Sequence, residues 1–200
     1  MSLSPEDAEA VDTYFSLWWK WLRAAAAAGG LRKPEWRRRL PEPPVAALQA
    51  AALHHPNARV RRDCLTVLDH DANDMSVAVF RSALADPVPR VREIALHGLS
   101  CERCRTTELC AADVTPVLVR ALEDDPSPKV RHATVGILLR LSSRDAGASD
   151  ALARAARLDE DPLVRQVALA ASEGRHRDIR SRKALRRRAR RPAASHAPQR

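Results

Sequence analysis

Three cysteines crowd one short stretch, Cys101-Glu-Arg-Cys104-Arg-Thr-Thr-Glu-Leu-Cys110, spaced as C-x2-C-x5-C. A Cys-x-x-Cys pair can bring two thiolates to one metal ion, and a structural zinc takes four sulfur or nitrogen ligands. Three come from this stretch, so the fourth must come from elsewhere. His70 is the candidate; His97, four residues before Cys101 and so on the same helix face, is another. The remaining thiol, Cys64, holds a small inward place in the repeat described below and reads as packing. The same stretch also suits a redox-labile pair or three unliganded thiols, a disulfide being disfavoured in a reducing compartment. A structural zinc is the cofactor that this pattern would take, and no other is implied. Asp69-His70-Asp71 sets two carboxylates around an imidazole, a grouping that could serve a metal or a general base. At a helix end it reads more simply as capping and turn chemistry.

The elements that must position these residues recur along the chain. A Pro-containing turn, then Val-Arg, then a helical apolar pattern appears at Pro56-Asn-Ala-Arg-Val60-Arg61 and at Asp86-Pro-Val-Pro-Arg-Val91-Arg92. It returns at Asp125-Pro-Ser-Pro-Lys-Val130-Arg131 and Asp159-Glu-Asp-Pro-Leu-Val164-Arg165, so the Val spacings are 31, 39 and 34. Four residues after each Val stands Cys64, Ala95, Thr134 or Ala168; five after, Leu65, Leu96, Val135 or Leu169; eight after, Leu68, Leu99, Leu138 or Ser172. Offsets 0, 4, 5 and 8 share one helix face. The small residue at offset 4 lets a neighbouring helix approach. Proline suits the first helical position, where its missing N–H costs nothing, and Asp in the turn can cap. A second helical stretch precedes each phrase, at residues 43–54, 74–85, 113–123 and 148–158. One such pair cannot bury its own apolar face, but stacked pairs can. The long spacing of 39 is the cysteine stretch, inserted after the second repeat. His70 and Cys101 both lie ten residues after a repeat Val, which puts them at equivalent ends of adjacent helices, about 10 Å apart at the axes.

The Asp-Pro-x-Pro-x-Val-Arg phrase, with its small residue and following Leu, resembles the HEAT-repeat family, in particular its short HEAT-like repeats of the phycobilisome-lyase type. The resemblance covers roughly residues 43–173 and implies an all-α, right-handed armadillo-type solenoid of about four helix pairs. It further implies a ladder between repeats from Asp86, Asp125 and Asp159 to Arg61, Arg92, Arg131 and Arg165, all structural. The first repeat departs from the pattern, with His55 in the Asp place. Three enzyme classes share this kind of fold. Deoxyhypusine hydroxylase binds iron through His-Glu dipeptides, and this chain contains none. HEAT-like DNA glycosylases use aromatic side chains in a basic groove, which these repeats hardly carry. Bilin lyases leave no readable signature here. Neither a Gly-rich phosphate loop nor a serine-nucleophile motif is present. The expectation is therefore a non-enzymatic scaffold that binds a protein partner. Its surface would be the outward offsets of the second helix of each pair, at Arg62, Glu93, His97, His132 and Gln166.

Charge and the two ends complete the reading. The chain of 200 residues carries +9, but residues 175–200 hold eleven basic residues against Asp178 alone, a local +10 that leaves the rest at −1. The high isoelectric point thus describes a tail that is expected to be disordered. Its Arg186–Arg191 cluster, with Arg37-Arg38-Arg39, could contact nucleic-acid phosphates nonspecifically. That makes nucleic-acid association the alternative function, with a bilin-type or metal-dependent enzyme a second alternative. Six of seven aromatic residues precede position 40, in an amphipathic helix over 6–25 and just after it. Such a helix would cap the open end of the stack, and the domain plan becomes cap and connector over 1–40, repeats over 41–174, and tail over 175–200. No apolar run reaches the roughly 20 residues that cross a bilayer, and the acidic start does not look like a secretion leader. A cytoplasmic protein without a membrane partner is expected. Arginine outnumbers lysine 30 to 4 and alanine is abundant, a bias that suggests a high-GC bacterial gene.

Overall fold

The computed structural model describes residues 2–27, 42–70, 74–100 and 111–175. Every regular element among them is a helix: α1 Pro5–Ala27, α2 Val45–His54, α3 Ala58–His70, α4 Asp74–Ala83, α5 Pro89–Ser100, α6 Ala111–Asp124, α7 Pro128–Leu141, α8 Ala146–Leu158 and α9 Pro162–Ser172. The helices fall into two compact units, Met1–Glu108 and Leu109–Arg200. The break lies inside the cysteine stretch, which itself lies outside the described residues, as do residues 28–41, Asp71 with the two residues after it, and the tail after Arg175.

Local sequence sets where the helices begin. Pro89, Pro128 and Pro162 are each the first residue of a helix, the position where a fixed φ and a missing N–H are both harmless. The side chain of Asp161 accepts from the N–H groups of Leu163 and Val164, and that of Asp145 from Ala148, filling donors that a helix start leaves orphaned. α1 packs on α2. In the first unit α2 packs on α3 and α4 on α5, while α2 also touches α4 and α3 touches α5. The second unit repeats this scheme: α6 packs on α7 and α8 on α9, with α6 against α8 and α7 against α9. Within each unit, first helices thus lie on first helices and second on second.

The core is aliphatic and follows the register. Val91, Val130 and Val164 are fully buried, as are the small residues Cys64, Ala95, Thr134 and Ala168 and the following Leu65, Leu96 and Val135. The register loosens at its ends. Val60, in the first pair, is only half-buried. α9 is the last helix among the described residues, and its Leu169 is 45% exposed where the equivalents in earlier pairs are covered. In the first unit the aromatic helix covers the first pair: Val11, Tyr14 and Phe15 are buried, Phe15 meets Trp18 edge-on, and the Arg59 guanidinium sits 5.7 Å from the Trp19 ring centre, a cation–π contact.

In each unit one bidentate Arg–Asp rung of the expected ladder joins the two helix pairs. Arg61 donates through Nε and Nη2 to the two carboxylate oxygens of Asp86, at 2.6 and 3.0 Å, and through Nη1 to the carbonyls of His55 and Pro56. Arg131 does the same toward Asp159, at 2.9 and 3.0 Å, and toward the Asp125 carbonyl. Each carboxylate also accepts from its own turn, Asp86 from the Val88 N–H and Asp159 from the Asp161 N–H, both at 2.8 Å. Asp125 makes the same turn bond with Ser127. His55 keeps that half of the role: its Nδ1 accepts from the Asn57 N–H at 3.0 Å. It stands in the first turn, and among the described residues no earlier helix pair supplies a guanidinium to it. Arg92 and Arg165 donate to the carbonyls of Asp86 and Asp159.

The side chains of Arg131 and Asp159 are each 4% exposed, so Arg131→Met should strand a buried carboxylate and lower the unfolding free energy by about 3 kcal/mol. Arg154→Met, which opens the solvent-washed pair with Glu123, should cost about 1 kcal/mol or less; urea unfolding followed by circular dichroism compares them. A second contrast tests the packing. A Cβ on Gly98 would stand 2.6 Å from Cδ1 of the fully buried Phe80, whereas one on Gly136 meets nothing within 4 Å. Gly98→Ala should destabilise by roughly 1–3 kcal/mol. Gly136→Ala should stabilise by about 0.5–1 kcal/mol through helix propensity.

Candidate interaction surface

The outward offsets of α3, α5, α7 and α9 carry the side chains expected to meet a partner, and the structure divides them. His97 projects, with its side chain 48% exposed. Arg62 is half-buried and turns its guanidinium onto the neighbouring Asp63; Gln166 is also half-buried. Glu93 and His132 are buried, at 8% and 9%, and Glu93 accepts from Arg90 at 2.5 Å. These two correct the expectation that offset 2 points outward. At 100° per residue, offsets 0 to 8 of the apolar set span about 140°. Offset 2 then lies only about 60° past the edge of that arc, on the flank that adjacent helices cover. Offset 6, which places His97, lies nearly opposite the arc's centre.

Of the expected metal ligands, Cys101, Cys104 and Cys110 lie outside the described residues. His70 is the last residue of α3, and only its helical place is described. No group of three or more His, Cys, Asp or Glu side chains converges to hold a metal among the described residues. Cys64 is fully buried, and burial, helped by the charge of Asp63, pushes its thiol up to about 12, in keeping with packing.

One residue behaves differently from the sequence reading. Asp69 is not a surface cap; it is 3% exposed. Its Oδ2 lies 3.4 Å from Nε2 of His97, and its Oδ1 is buried with no hydrogen-bond partner. The signal was present as a charged side chain at offset 9 of a helix, next to the covered offset 8, but a terminal Asp is so common a capping residue that the pattern alone favours the cap.

Two grooves open on the first-helix layer, which the sequence reading did not single out. In the second unit a groove of about 630 Å3 runs between α6 and α8, lined by Thr115, Val119, Arg120, Asp124, Asp150 and Arg154 among others. One wall is pinned where the Thr115 hydroxyl donates to the Asp145 carboxylate; that bond, with the backbone N–H groups of Ala148 and Gly147, holds Asp145 below the usual carboxylate range. Pro116 also lines the groove. In the first unit a smaller groove of about 430 Å3 lies beside α1, lined by Ala10, Tyr14, Leu17 and Pro44 and by Glu6, Glu9 and Glu42. No helix among the described residues is long and apolar enough to cross a membrane.

The buried thiol gives a direct check. In the folded chain Cys64 should not react with an aromatic disulfide reagent at pH 8, and it should titrate fully once urea unfolds the protein. Its raised folded value adds a pH effect. The unfolded thiol ionises near its ordinary value while the folded one stays protonated, so the Cys64 contribution is intact below about pH 8.5. It is lost progressively up to about 12. Cys64→Ala should flatten that alkaline decline in urea midpoints.

Compared with known proteins, the chain matches no family model, no curated protein and no solved structure.

Proposed function

We propose that the chain is a HEAT-like, right-handed α-solenoid of about four helix pairs that works as a non-enzymatic scaffold for a protein partner. The observation that carries this reading is the recurrence of the bidentate Arg–Asp rung, Arg61 on Asp86 and Arg131 on Asp159. The rung joins helix pairs that are otherwise packed first helix on first and second on second. Such a ladder holds a repeated framework rigid and leaves the rims between helices free to vary. The α6–α8 groove has the character of a peptide-binding rim, since Val119 and Pro116 line it together with Arg120, Arg154, Asp124 and Asp150. Apolar surface with a polar, solvent-accessible rim is the anatomy of a protein–protein contact.

The test is cross-linking with mass spectrometry on the full chain in nuclease-treated extract, followed by binding measurements on the captured partner. Paired reversal of Asp124→Lys and Asp150→Lys should weaken that partner about tenfold, equivalent to about 1.4 kcal/mol, while the far-ultraviolet circular dichroism stays unchanged. Deleting 176–200 should leave the affinity intact. A partner whose binding ignores the groove but vanishes with the tail would overturn this reading.

The charge of the tail favours a second reading, nucleic-acid association, since residues 175–200 carry +10 in a chain whose remainder is close to neutral. It predicts filter binding of a generic oligonucleotide that falls steeply between 50 and 200 mM salt, by about 10³-fold or more, and that disappears when 176–200 are removed.

A further inference from the structure

We infer that Asp69 and His97 form a two-residue site for a divalent transition metal, where the ends of α3 and α5 meet. Asp69 occupies the last turn of α3, where unpaired carbonyls give a helix its negative end. Its side chain is only 4% exposed. One oxygen, Oδ1, is buried with no hydrogen-bond partner, an arrangement that is costly unless a positive charge arrives. Facing the other oxygen is the His97 imidazole, with Nε2 3.4 Å from Oδ2 and nearly half its side chain in solvent.

The separation points to the kind of cation. At 3.4 Å the two atoms stand farther apart than the 2.7–3.2 Å of an N–H···O bond. A tetrahedral zinc with a histidine nitrogen at about 2.05 Å and a carboxylate oxygen at about 2.1 Å sets those two ligands about 3.4 Å apart. One imidazole and one carboxylate suit zinc, cobalt(II) or nickel(II) better than calcium or magnesium, which take all-oxygen shells. No third His, Cys, Asp or Glu joins them among the described residues, and the exposed side of His97 admits water to further positions of the sphere. With these two protein ligands the site is exchangeable, and it ties the second helix of one pair to the second helix of the next. The inference is independent of the scaffold reading, because it requires no partner.

The experiment uses the full chain with Cys101, Cys104 and Cys110 changed to Ser, so that loop thiols cannot compete. Zinc chloride is titrated by calorimetry, and thermal unfolding is followed with and without zinc. One zinc per chain and a raised Tm are expected. His97→Gln, which alters a projecting side chain, should weaken zinc at least tenfold and remove the Tm shift. Asp69→Asn should do the same while leaving the metal-free protein as stable as its parent or more so, because a buried charge with one unsatisfied oxygen has gone. Zinc binding that is unchanged by His97→Gln, or a folded parent that takes up no zinc, would overturn the inference. Cobalt(II) added to the chain with its native cysteines supplies a second reading. Visible d–d absorption that His97→Gln reduces without altering the near-ultraviolet sulfur-to-cobalt band supports the site. Absorption carried by the sulfur band alone, indifferent to His97, counts against it.

Discussion

Each rung of the ladder rests on a carboxylate with two obligations. Asp86 and Asp159 must tie down a backbone N–H in their own turn and neutralise a guanidinium from the preceding helix pair. A buried ion pair survives only when its remaining hydrogen-bonding capacity is filled, and here it is. The third arm of each Arg closes on the carbonyls of its own turn. The hydrogen bonds with the carboxylates also raise the guanidinium pKa of both arginines. The turn shape, the helix start and the spacing between pairs are thus fixed by one set of atoms, and the apolar contacts are arranged around it.

Packing between layers depends on subtraction as much as on burial. Cys64, Ala95, Thr134 and Ala168 are small and fully covered, which allows the helix axes to approach. Gly98 takes the same logic further, since the Phe80 ring occupies the space of a side chain there. The first and last helix pairs differ. Aromatic bulk over Val11–Phe15 covers the first helix pair, whereas Leu158 and Leu169 on α8 and α9 remain 76% and 45% exposed.

Polar groups that the ladder does not use are distributed unevenly, and this decides where a ligand could act. On the second-helix layer Glu93 and His132 are covered, leaving His97 beside the buried carboxylate of Asp69. On the first-helix layer of the second unit, charges of both signs line an open groove. A helical framework of this kind does not by itself dictate a function. The same framework serves many functions.

The helices, their starts and most of the core were legible in the chain itself. Proline at the first helical position and apolar offsets of 0, 4, 5 and 8 act over a few residues, so their consequences are local. The four upstream helices expected over 43–54, 74–85, 113–123 and 148–158 lie at Val45–His54, Asp74–Ala83, Ala111–Asp124 and Ala146–Leu158. The exchange of His for Asp at position 55 is equally local, a ring nitrogen replacing a carboxylate oxygen on one turn N–H. The fates of Glu93, His132 and Asp69 were not legible, because burial on the flank or at the end of a helix is set by whichever helix comes to lie beside it. That neighbour is remote in sequence: Asp69 meets His97 from the next helix pair, and Thr115 meets Asp145 across the α6–α8 groove. Local pattern therefore determined the helices and the inward face of each. Only tertiary packing decided which polar side chains stayed in water, because exposure belongs to the space between helices and not to any one of them.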